Sequence, residues 1–217
     1  MDSETNVPTR SKLALKGSSK IVSDFFGYIL YQRGIYPPED FQLVKKYGLT
    51  VMVSVDDEVK DYIRRIMSQL HRWIYGGVVS KLVVAITSTD TGETVERWQF
   101  DVEILPQSQD EANEESHSVR IDDQHPLGQS KSYLEIQKEI QSIIRQITAS
   151  VTFLPELQGP HSFNVLVYTD QNAKVPYEWK DAEDAKNVQG SNVEQVQFRS
   201  FSTDKHKVDA VVSYRLP

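Results

Sequence analysis

The 217-residue chain contains no cysteine. Disulfide scaffolds, thiolate metal sites and cysteine nucleophiles are thereby excluded, and the absence is compatible with a reducing compartment. Positive charge is short as well: 24 Lys and Arg stand against 31 Asp and Glu, a net charge of −7. Non-specific nucleic-acid binding and attachment to anionic membranes need a basic face, so neither partner is expected. No apolar run approaches bilayer-spanning length. Met1 to Lys12 is polar and lacks the apolar region of a secretory signal, so a soluble intracellular protein is expected. The five histidines, His71, His117, His125, His161 and His206, are scattered without metal-ligand spacing. Phosphate-binding glycine loops, dinucleotide fingerprints and nucleophile elbows do not occur. No metal, cofactor or catalytic site is expected from these motifs, although a triad assembled from distant residues stays open.

What the chain does have is a strong helical stripe. Between Ser132 and Leu154, Tyr133, Ile136, Ile140, Ile143, Ile147, Val151 and Leu154 recur at steps of three or four, the spacing of one buried face. Ile144 widens that stripe. Ser132 with Glu135 fits a capping box, and Pro155 ends the helix because it has no amide hydrogen. A polar row, Gln141, Arg145, Thr148 and Thr152, runs beside the stripe without an evident helical partner and makes a candidate contact surface. Arg145 on the rim of this face is a candidate interface anchor, since arginine is enriched at such positions.

Taken in order, 1–10 reads as a disordered tail and Leu13–Leu15 as a short edge strand. Ser18 or Ser19 then caps a helix carrying Ile21, Val22, Phe25, Phe26, Ile29 and Leu30, ending by Pro37-Pro38 and weakened in its middle by Gly27. Glu39 to Lys46 suggests a short helix closed by Gly48, and Leu49 to Val55 a strand. Asp56, followed by Asp57 and Glu58, opens a helix with Val59, Tyr62, Ile63, Ile66, Leu70 and Trp73 on one face, closed by Gly76-Gly77. Leu82 to Ile86 and Val95 to Ile104 form a hairpin about Thr89–Gly92. The segment 106–128 is acidic and poor in apolar residues, a mobile loop by composition. Phe163 to Thr169 is a further strand, Asp170 to Ser191 is irregular around Trp179, and Val193–Ser202 with Lys207–Arg215 form a closing hairpin. Helices and strands come in blocks, so an α+β fold with a mostly antiparallel sheet is expected over a single domain, 11–217.

Four stretches resemble the HORMA-domain family in its spindle-checkpoint branch. They are Ile29–Pro37, Glu96–Asp101, Ile144–Pro155 and Arg199–Thr203 with His206-Lys207; Lys46–Thr50 and Tyr168–Asp170 support them. The resemblance implies three helices layered on the sheet and a mobile C-terminal "safety belt", 170–217, that traps a peptide lying along a sheet edge. It implies a non-enzymatic adaptor that moves its terminal segments to switch between open and closed folds. Its implied partners are the mitotic activator of the anaphase-promoting complex, which it inhibits, a kinetochore coiled-coil receptor, a second copy of itself, and a HORMA-remodelling AAA+ ATPase with its adaptor. A nuclear, kinetochore and cytoplasmic location follows. The alternative within the family is a translesion-synthesis or meiotic-axis adaptor. By the same resemblance, Arg145, Gln146 and Phe153 form an open–closed dimer interface. Phe163, Val165, Leu166, Val167 and Tyr168 form the peptide-edge strand, and Trp179, Val193, Phe198, Phe201, Val211 and Tyr214 belong to the belt. Two departures stand out: the first helix lacks about one turn between Phe25-Phe26 and Ile29, which predicts slower conversion between folds, and the chain stops at Pro217. Removal of Val208–Pro217 is expected to leave a folded core that no longer retains peptide.

Overall fold

The computed structural model describes residues 10–105, 131–169, 175, 179, 187–188, 190–203 and 205–216. Three helices, α1 (Arg10–Gln32), α2 (Asp57–Tyr75) and α3 (Tyr133–Ser150), pack with two β-sheets. The main sheet contains β3 (Val79–Ser88), β4 (Thr94–Ile104), β5 (His161–Thr169), β6 (Val193–Gln197), β7 (Phe201–Ser202) and β8 (His206–Arg215). Its order is β5-β3-β4-β8-β6, with β7 paired to β8, and every described pair is antiparallel. A separate hairpin joins β1 (Phe41–Lys46) to β2 (Leu49–Ser54).

The helix boundaries follow local chemistry. Asp56 caps α2 by accepting from Val59 N at 2.8 Å. The capping box of α3 is complete, with Ser132 and Glu135 each bonding the other's backbone. Both α1 and α2 end in a Schellman motif. Gly34 N donates to Tyr31 O and Ile35 N to Leu30 O, and Gly77 N and Val78 N repeat the pattern on Ile74 and Trp73. The motif needs a left-handed residue after the last turn, and Gly34 (φ 62°) and Gly77 (φ 68°) supply it.

One core fills the space between helices and sheet. Phe25 and Phe26 of α1, Leu70 and Trp73 of α2, and Ile140, Ile143 and Ile147 of α3 meet Leu82, Val84, Trp98, Phe100, Val208 and Val212 of the sheet. Phe25 stacks on Phe100 at 6.0 Å and meets Phe201 edge-on at 5.9 Å.

Several expectations are corrected. Leu13–Leu15 is not an edge strand and Ser18 and Ser19 are not caps: all lie inside α1, which begins at Arg10. Residues 39–46 are not a helix. After a 3-10 turn at Pro38–Asp40 the chain enters β1, because Gly48 closes a tight hairpin rather than a helix. Tyr47 (φ 53°) and Gly48 (φ 73°) both adopt positive φ, as a type I′ turn requires. The Tyr47 hydroxyl donates to Asp24 at 2.8 Å and its carbonyl accepts from Gln141 Nε2 at 2.7 Å, holding the strained residue in place. α3 ends at Ser150 and continues as turns to Leu154, so Val151 lies outside the helix, and Val151 and Tyr133 are exposed. The polar row of α3 does have partners: Thr148 meets Tyr28 of α1 at 2.8 Å, and Gln141 reaches the hairpin turn. The expected removal of Val208–Pro217 bears on a core element here, because β8 is an interior strand that buries Val208, Ala210, Val212 and Tyr214. Residues 1–9, the acidic segment 106–128 and most of 170–191 lie outside the described residues.

Candidate functional site

β5 is a terminal strand. It pairs with β3 from Val79↔Thr169 to Ser88↔His161 and with nothing on its other side among the described residues. A strand paired on one side presents a row of unpaired N–H and C=O groups, a template for a further strand. Phe163, Val165 and Val167 lean on the core, while Leu166 and Tyr168, at alternate positions, face away from the helices. Tyr168 is tied to the outer face: Arg97 Nη2 donates to its hydroxyl at 3.3 Å, and Lys81 Nζ sits 5.3 Å above its ring.

Aromatic side chains flank both ends of this edge on the helix side. Phe163 is met edge-on by Tyr36 at 6.2 Å and by Tyr62 at 5.6 Å. Burial raises the hydroxyl pKa of both tyrosines, that of Tyr36 further through nearby Asp56, so both stay neutral hydrogen-bonding groups at physiological pH. Towards the other end Trp179 lies against Trp73 of α2 at 5.1 Å. Tyr62 sits on the apolar stripe of α2, but its role beside an edge strand has no local signature, because the edge comes from a segment about a hundred residues away.

The C-terminal residues are placed differently from one another. Trp179 is half-buried on α2. Val193 is exposed at the start of β6, and Val211 is half-buried on β8. Phe198, Phe201 and Tyr214 are core residues: Phe198 packs on Trp98 at 5.5 Å, and Tyr214 OH donates to Glu194 at 2.8 Å. β6 therefore stands at the far edge of the sheet, four strand spacings or about 19 Å from β5. Thr169 lies at the Val79 end of the sheet, whereas Val193 pairs with Arg215 at the opposite end. Thr169 and Val193 therefore stand at opposite corners of the sheet.

On α3, Arg145 is exposed, with Nη2 3.5 Å from Gln141 Oε1. Gln146 Oε1 accepts from Arg199 N at 2.8 Å, and the 40% exposed Phe153 ring lies 6.1 Å from Tyr214. The three thus share one end of α3, beside the C-terminal strands. Sequence reading missed the buried pair beneath them: Arg33 Nε donates to both carboxylate oxygens of Glu96 at 2.9 and 3.0 Å, and Arg33 Nη2 donates to Pro155 O at 2.6 Å. Among the described residues no three His, Asp or Glu side chains gather as a metal site, and no helix is long and apolar enough to cross a membrane.

The HORMA domain model matches residues 18–206. The chain is 50% identical over 216 residues to the mitotic spindle checkpoint component mad2 of Schizosaccharomyces pombe, covering 98% of each. The chain belongs to the HORMA-domain family. Within it, the MAD2 protein of Saccharomyces cerevisiae is 48% identical over 209 residues, covering 94% of this chain and 97% of that one. A chain of the crystal structure of a mitotic checkpoint complex superposes with a TM-score of 0.74 at 48% identity, covering 92% of this chain and 99% of that one. This HORMA protein is a mitotic spindle checkpoint component, and other branches of the family are less well supported.

Proposed function

We propose that this HORMA domain captures an extended partner peptide on the open edge of β5 and retains it beneath the segment that joins Thr169 to Val193. The observation carrying this reading is topological: the strand with the free edge ends at one corner of the sheet, and β6 begins at the opposite corner. Main-chain bonds to an edge contribute only about 1 kcal/mol each, and ordering a flexible peptide costs several in return. Edge pairing alone would release quickly. A connection held on α2 by Trp179 against Trp73, and at the far edge by β6 on β8, makes release require local unfolding. In this reading the described arrangement is the ligand-trapping closed fold, with its acceptor edge free.

The occupants that the family resemblance implies are peptides of the mitotic activator of the anaphase-promoting complex and of a kinetochore coiled-coil receptor, and the place of action is the kinetochore in mitosis. The protein works as an adaptor without catalysis, and the AAA+ ATPase that remodels HORMA domains reopens it. Arg145, Gln146 and Phe153 form the contact with a second, open copy. The test is peptide dissociation from immobilised protein. Trp179→Ala should accelerate release of an activator peptide at least about tenfold, because an aromatic anchor of this kind contributes about 2 kcal/mol. Slow release that survives Trp179→Ala removes the strap from the mechanism.

A further inference from the structure

A groove of about 600 Å³ lies between α1, β2 and α2, and no residue of β5 lines it. Lys20, Ser23, Asp24 and Gly27 line it from α1, at the i, i+3, i+4, i+7 spacing of one helical face. From α2 the lining runs from Lys60 to His71 at the same spacing. Two helical walls of about 11 and 16 Å enclose a trough that accommodates two to three turns of a third helix.

Its chemistry is uneven in a particular way. Gly27 faces open space, with nothing within 4 Å of where a Cβ would stand. With Ile63 and Met67 it leaves the trough apolar. The rim is cationic, from Lys20, Lys60 and Arg64. Among the described residues, Lys60 and Arg64 form ion pairs with Asp57 and Asp61 on their own helix. Such exposed i,i+3 pairs are weak and yield to a better partner. The lone acid in the lining, Asp24, is already neutralised by Lys46 at 2.6 Å and by the Tyr47 hydroxyl. An apolar trough with a positive rim complements an amphipathic helix whose apolar stripe is flanked by Asp or Glu.

We propose that this groove is a second docking site, independent of the sheet edge, for an acidic amphipathic helix of a partner protein. Gly27 is its specificity-determining residue: any larger side chain there occupies the space the helix needs.

A display library of 14-residue helical peptides, selected on the full chain, tests this. Enriched sequences are remade with a fluorescein label and titrated by anisotropy. They should carry apolar residues at i, i+3 or i+4, and i+7, flanked by Asp or Glu, and should weaken as salt is raised. Gly27→Leu should lower their affinity at least about tenfold while leaving the melting temperature unchanged or higher, since leucine is the better helix former. Lys60→Glu with Arg64→Glu should weaken them similarly without touching the trough. If no such sequences enrich, or if those that do bind wild type and both variants alike, the groove is not a docking site.

Discussion

Arg33 follows the last residue of α1 and Glu96 stands near the start of β4, and both are almost fully buried. Burial pushes the Glu96 carboxyl up, while the Arg33 guanidinium and Trp98 Nε1, donating to Oε1 at 2.5 Å, pull it back. Through Pro155 O the same arginine holds the turn that leads out of α3. Removing one partner leaves an uncompensated buried charge and should cost about 3–5 kcal/mol, whereas an apolar pair of similar volume is tolerated. Arg33→Met and Glu96→Met should each lower the denaturant midpoint sharply, and the double variant should recover most of the loss. His206 makes the second prediction at this scale. Burial lowers its pKa below 6.5, with Lys205 adding to the shift and a hydrogen bond to Ile74 opposing it. The unfolded chain therefore binds the proton more readily, so stability is full above about pH 6.5 and falls as pH drops towards the lowered folded value. His206→Gln should flatten that dependence in melting curves taken between about pH 7.5 and 5.

Among the elements, β8 is the one on which the sheet depends. It pairs with β4 from His206 to Tyr214 and with β6 and β7 on its other side, and it buries Val208, Ala210, Val212 and Tyr214. Deleting 208–217 removes those side chains, exposes an edge of β4 and leaves β6 without a partner. Large-to-small changes at single core positions already cost about 2–5 kcal/mol, so the truncated chain should lose its cooperative thermal transition. A truncated chain that still melts cooperatively near the wild-type temperature would mean that the core closes without this strand. α3 behaves differently, because its inner face is core while its outer edge, with Arg145, is free to make contacts.

At the scale of the molecule, the proposed dimer surface and the C-terminal strands meet. Gln146 and Phe153 touch Arg199 and Tyr214, so the surface at the end of α3 is complete only with β8 in place. Arg145 contributes to no core contact and is exposed. Arg145→Ala should therefore convert an open–closed dimer to monomer in sedimentation velocity while leaving the melting temperature nearly unchanged. An unchanged dimer would move the contact elsewhere, and a collapse of the fold would make Arg145 structural. The proposals therefore assign three surfaces: an edge for an extended peptide, the end of α3 for a second copy, and the α1–α2 groove for a helix.

Sequence alone determined what depends on neighbours along the chain. The capping box at Ser132, the cap at Asp56 and the glycine stop of α2 are local chemistry, and the helical stripes follow from a 3.6-residue period. Where local chemistry is ambiguous the reading failed, as at Gly48, which ends a helix or turns a hairpin equally well. The order of the sheet lies beyond local reading. Val165-Leu166-Val167-Tyr168 and Val211-Val212-Ser213-Tyr214 are nearly the same kind of strand, yet the first is an open edge and the second lies in the interior. Strand pairing is settled by which surfaces the packed helices leave to cover, and closing such distant pairs is a property of the whole chain. Tertiary structure therefore decided which strand stays free to take a partner and which becomes core.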